Sequence, residues 1–162
     1  MSVDKKPVSL ITIEPKVLSI DAMGGDLGAA VVVAGMNIFF KQNQDVKFIV
    51  HGDGAELEQL LSKYPDLPKH CEVRHCDEVV GMTDKPSHVM RHGKNTSMWS
   101  CIDAVRNKQA EVAVSCGNTG ALMAVSMIRL RKAPGVNRPA IAILWPSENP
   151  QGHNVMLDVG AD

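Results

Sequence analysis

Polar and apolar positions along the chain follow two periods in turn. Short β-favouring runs at 17–20, 46–50 and 111–115 each lead into a glycine-bearing turn and then into helical spacing. The stretch 27–41 is apolar nearly all round, which predicts a helix buried against a sheet. Leu57, Leu60 and Leu61 mark a helix over 55–63, residues 64–68 break the chain, and 71–75 is a weaker strand. Residues 78–87 read as irregular before a short helix at 88–91. Asn95 is placed to cap a helix from Thr96 to Asn107, 111–115 reads as a buried strand, and 121–131 as a further helix. Strands at 140–145 and 154–158, joined by the turn-rich 146–152, have the pattern of a hairpin.

Strands alternating with helices predict an α/β fold of three αβα layers, a mostly parallel sheet with helices on both faces. With no repeat or dividing linker, 17–162 read as one α/β unit behind a flexible tail at 1–16. The last strand feeds the Gly160 turn without the crossover a parallel sheet needs, so the residues are expected to be the N-terminal part of a longer chain, incomplete at its C-terminus.

Composition narrows the function classes. Among 162 residues, 17 Lys and Arg stand against 18 Asp and Glu, and this balance argues against nucleic acid as a partner. The apolar run 27–40 contains Gly28, Gly35 and Asn37 and falls short of the roughly 20 residues of a spanning helix. No secretory pattern opens the chain, so a cytoplasmic location is expected. The cysteines, Cys71, Cys76, Cys101 and Cys116, read as reduced thiols. Cys71 and Cys76 with His70 and His75 make an incomplete zinc set, so no metal is expected.

Three glycine turns are candidates for anion binding, because amides at strand ends and helix starts favour negative charge. They are Asp21-Ala22-Met23-Gly24-Gly25-Asp26, His51-Gly52-Asp53-Gly54 and Ser115-Cys116-Gly117-Asn118-Thr119-Gly120. Neither GxGxxG nor GxxxxGK[ST] occurs, which removes the usual support for dinucleotide and P-loop readings. Asn118 and Thr119 suit an oxyanion or phosphate, with plain helix capping as the competing role. Asp21 and Asp26 repel phosphate unless they orient a partner, and turn capping is their competing role. Lys85, Arg91, His92 and Lys94 concentrate positive charge ahead of the next helix, where Arg91 and Lys94 can complement phosphate or remain solvated. Cys116, at a strand end, reads as a buried, inert thiol rather than a nucleophile.

At these residues the sequence resembles the acyl-carrier-protein:phosphate acyltransferases of bacterial phospholipid synthesis. The resemblance is carried by Asp21–Asp26, by Arg91–Met98, by Gly117-Asn118-Thr119-Gly120-Ala121-Leu122-Met123-Ala124, by Arg138-Pro139-Ala140-Ile141-Ala142 and by Leu157-Asp158-Val159-Gly160-Ala161, in order over about 17–162. Leu27, Ala29, Thr96 and Cys116 depart from the family pattern, and the last departure argues against an essential thiol.

The resemblance implies a fold similar to phosphotransacetylases and isopropylmalate dehydrogenases. It further implies transfer of a long-chain acyl group from acyl carrier protein to inorganic phosphate, giving acyl phosphate, with no cofactor. Homodimers and peripheral membrane association are implied in the same way. Phosphate is then expected on Gly24, Gly25, Lys94, Gly117, Asn118, Thr119 and Gly120, with Arg91 as a phosphate or oxyanion partner and Asp21 or Asp26 orienting. The alternatives are an oxidoreductase of the isopropylmalate dehydrogenase type and a non-catalytic module that binds acyl carrier protein.

Overall fold

The computed structural model describes residues 15–136 and 139–157. The expected tail up to residue 14, the family-like Arg138 and the turn at 158–162 lie outside the described residues. Lys16, assigned above to the tail, is the first residue of a strand.

The elements run β1 (Lys16–Asp21), α1 (Gly28–Gln42), β2 (Val46–Gly52), α2 (Gly54–Leu61), β3 (Cys71–His75), α3 (Pro86–His92), α4 (Ser97–Arg106), β4 (Val112–Ser115), α5 (Thr119–Leu130), β5 (Ala142–Pro146) and β6 (His153–Leu157). β1 to β4 form one parallel sheet in the order β3-β2-β1-β4. β5 and β6 pair as the expected antiparallel hairpin, in a sheet of their own.

Strand alternation sorts the core. Ile20, Phe48 and Val50 pack beneath Val33, Met36 and Phe40 of α1 and Leu57 of α2. Ile49 meets Ala104 of α4 on the opposite face, where Val89, Trp99, Ile102 and Val125 join α3, α4 and α5. The result is the expected three-layer α/β arrangement.

Three local expectations are corrected. Helix α1 buries only Ala29, Val33, Met36 and Phe40, while Val31 and Ile38 are 52% and 62% exposed. Apolar residues all round it therefore do not mean cover all round it. Strand β4 lies at a sheet edge rather than inside, and leaves Val112 and Val114 exposed. Thr96, not Asn95, caps α4, its hydroxyl accepting from the Trp99 amide at 3.4 Å.

The order of the strands positions the site. From β1 the chain steps outward to β2 and β3, then returns to lay β4 on the other side of β1. Helix α1 after β1 and helix α5 after β4 consequently start side by side and leave on opposite faces. Such a reversal of winding opens a crevice beyond the carboxyl ends of the two strands, where ligands of open α/β sheets bind.

Candidate functional site

The turn after β1 and the turn after β4 meet in that crevice. A Cβ on Gly24 would lie 2.9 Å from the Gly117 nitrogen and 2.7 Å from Asp21 Oδ2, so only glycine fits there. Gly25, at φ +97°, faces the Cys116 carbonyl, which a Cβ would approach to 3.0 Å.

Asp21 binds the turns together from below. Its carboxylate is 2% exposed and accepts from Ser97 Oγ at 2.7 Å, from Ser115 Oγ at 2.7 Å and from the Met23 amide at 3.3 Å. Ser97 is the first residue of α4, so the helix dipole adds to these donors. The Gly117 amide in turn donates to Ser115 Oγ at 3.1 Å. Asp26, by contrast, is exposed and makes no hydrogen bond or ion pair among the described residues.

Asn118 caps α5, its Oδ1 accepting from the Ala121 amide at 3.0 Å. Its side-chain nitrogen donates to the carbonyls of Gly81, Met82 and Asp84 at 3.2, 3.0 and 2.9 Å. The side chain is therefore engaged in capping and in tethering the 81–84 loop, the competing role weighed above. What the turn offers an anion is the first-turn amides of Thr119 and Gly120, which lack intrahelical acceptors. Asn118→Ala is expected to destabilise the protein by about 2–4 kcal/mol, through the lost cap and three carbonyls losing a donor. Thermal unfolding should show a fall of roughly 5–15 °C.

The tethered loop leads into α3, which rests on the start of α5. A Cβ on Gly120 would come within 3.1 Å of Pro86 Cγ. Arg91 ends α3 and Lys94 lies in the 3-10 turn Gly93–Asn95 that follows. Both are exposed, and neither has a hydrogen bond or ion pair among the described residues.

The second expected turn has its polar groups engaged within the fold. His51 and Gly52 belong to β2, Asp53 caps α2 through the Glu56 amide at 3.0 Å, and the Gly54 amide donates to His75 Nδ1 at 3.1 Å. His51 is instead fully buried against α4. Ser19 Oγ lies 2.8 Å from His51 Nε2 and gives its proton to the Cys101 carbonyl at 2.8 Å, so Nε2 must be the donor. His51 Nδ1 then accepts from Ser100 Oγ at 2.8 Å. Burial, reinforced by Arg74, holds the imidazole neutral and lowers its pKa to about 4.

The cysteines differ among themselves. Cys76 and Cys101 are buried, and burial raises both thiol pKa values, that of Cys101 to about 11. Cys116, expected to be buried, is exposed. It follows Val112 and Val114 on the α1 side of the edge strand, where no helix among the described residues covers it. Together with Leu18, Val31, Phe39 and Val114 it lines an apolar groove of about 640 Å³ that opens at Gly24 and Gly25. His70 stacks on Phe40 with ring centroids 4.5 Å apart. Among the described residues no group of three or more His, Cys, Asp or Glu is placed to hold a metal ion. Likewise, no described helix is long and apolar enough to cross a membrane.

Comparison with known proteins decides the family. Residues 16–162 match the family described as fatty acid synthesis protein. The chain belongs to that family. Proteins named phosphate acyltransferase from Jannaschia sp., Cereibacter sphaeroides and Paracoccus denitrificans are 68%, 66% and 63% identical over 146 residues. Each alignment covers 90% of this chain and 40% of the relative, so the chain spans about two fifths of the length of these curated family members.

Sequence reasoning missed Ser19, Ser97 and Ser100, and it named His51 and Ser115 only as members of candidate turns, not as groups that hold the turns and α4 in place. The only signal for the three missed serines was a small polar residue within β1, at the start of α4 and in its first turn.

Proposed function

We propose that the full-length protein transfers a long-chain acyl group from acyl carrier protein to inorganic phosphate, forming acyl phosphate for phospholipid synthesis. The observation that carries this reading is the close approach of the two glycine turns at the β1–β4 switch point, in a chain two-thirds identical to proteins named phosphate acyltransferase. Phosphate is bound by the Gly24–Gly25 and Gly117–Gly120 turns, in particular the Thr119 and Gly120 amides, with Lys94 and Arg91 supplying positive charge. Asn118 and Asp21 act by shaping the turns, and Asp26 is the carboxylate left to orient a phosphate proton.

Phosphate is itself the nucleophile. One of its oxygens attacks the thioester carbonyl carbon, a C–O bond forms, the C–S bond breaks, and the carrier thiolate leaves and takes up a proton. The protein contributes positioning and stabilisation of the tetrahedral oxyanion, for which Arg91 is the candidate donor. No cofactor enters these steps. The reading also places the protein in the cytoplasm, as a homodimer that associates peripherally with the membrane.

Incubating the natural full-length protein with palmitoyl carrier protein and phosphate should yield acyl phosphate. Phosphate-independent release of fatty acid alone would overturn the reading. Lys94→Ala should weaken apparent phosphate affinity by about 10- to 150-fold, the loss of one charge-assisted hydrogen bond. Its exposed side chain leaves thermal stability nearly unchanged.

A further inference from the structure

From residue 85 to 102 the chain carries Lys85, His88, Arg91, His92 and Lys94 and no Asp or Glu. All five are exposed, at the N-cap of α3, on α3 itself and on the 3-10 turn after it. Lys85, Arg91 and Lys94 are in no ion pair or hydrogen bond through their side chains among the described residues. Nearby acids are engaged otherwise: the Asp84 carboxylate accepts from the Gly81 amide at 2.8 Å and Asp77 pairs with His75 at 2.8 Å. Glu78 and Asp84 line a small cleft with His88 and His92 beside this face. In a chain of net charge −1 the result is a local positive field beside the candidate site, since α3 rests on the first turn of α5.

We infer that the exposed face of α3 and its following turn docks an acidic protein surface, that of the carrier presenting the acyl thioester; this rests on the function proposed above. Two further observations favour a protein over a lipid surface. Three Lys and Arg fall below the clusters of about 4–8 that hold a protein to anionic lipid. No large apolar side chain is exposed between residues 83 and 95, whereas Val79 and Met82, each 47% exposed, stand beside the basic face. An apolar centre with a charged rim is the composition of protein interfaces.

The test is Lys85→Glu combined with His88→Glu in the natural full-length protein. Glutamates at the N-cap and in the first turn of α3 suit the helix dipole, so the helix is retained. The KM for acyl carrier protein should rise about tenfold at low salt, and the difference should shrink as salt is raised. The KM for phosphate and turnover of an acyl-pantetheine thioester, which lacks the protein, should not move. An unchanged KM for the carrier would overturn the docking. So would loss of binding to phosphatidylglycerol vesicles with carrier kinetics intact, which would assign the face to lipid. If the unmodified protein makes no acyl phosphate, the functional reading fails by itself; equal equilibrium binding of carrier to it and to the variant would then reject the docking separately, and weaker binding by the variant would uphold it.

Discussion

Asp21→Ala is expected to cost about 3–5 kcal/mol of folding stability, because it strips the acceptor from two serine hydroxyls and leaves a cavity under the turns. Asp21 is 2% exposed, and Ser97 and Ser115 each donate to it at 2.7 Å. The substitution acts on three elements at once: the end of β1, the end of β4 and the first residue of α4. Asp21→Asn should cost less, since an amide keeps the shape and can still accept from one serine. Thermal unfolding of the three proteins would check this order, with a fall of roughly 10 °C or more for Asp21→Ala. A shift of only a few degrees, together with lost phosphate dependence, would instead make Asp21 a ligand-facing group.

Stability should also fall as the solution is acidified through the range of His51. In the folded protein its pKa is lowered to about 4, against 6.5 for a free imidazole. Between those values the unfolded chain binds a proton that the folded protein does not, so stability rises with pH across the window. The contribution is fully present above pH 6.5 and is lost as pH falls toward 4, and the gap corresponds to about 3 kcal/mol. Denaturant unfolding at pH 7 and pH 4.5 should therefore differ more for the natural protein than for His51→Gln, which keeps polar atoms near Ser19 and Ser100 but does not titrate. Identical pH dependence in both would show that His51 protonates freely when folded.

Much of this architecture is legible in the chain because it rests on local interactions. The β-favouring runs ending at Ile20 and Val50, the glycine turns beyond Asp21 and Ser115, and the spacing of Leu57 and Leu61 each fall within about ten residues. Backbone propensity and side-chain period act over that distance. Gly24, Gly25 and the 117–120 block could be singled out for the same reason: a turn of that shape demands glycine wherever it is used. The parallel sheet follows from the alternation of strands and helices, and the hairpin at β5 and β6 from its short turn-rich connection.

Tertiary structure alone decided the order β3-β2-β1-β4, and with it the crevice between β1 and β4. That order depends on which strands meet after residues 22–111 have been wound out and back, and no local pattern encodes it. The partners that give Asp21, His51 and Asn118 their roles lie 76 and 94, 32 and 49, and 34 to 37 residues away in sequence. The exposure of Cys116 and the half-bare α1 have the same origin, since burial depends on what another element covers. Residue type and spacing determined the elements and the kind of turn chemistry available. Long-range packing determined which of those groups face a ligand and which are consumed in holding the others still.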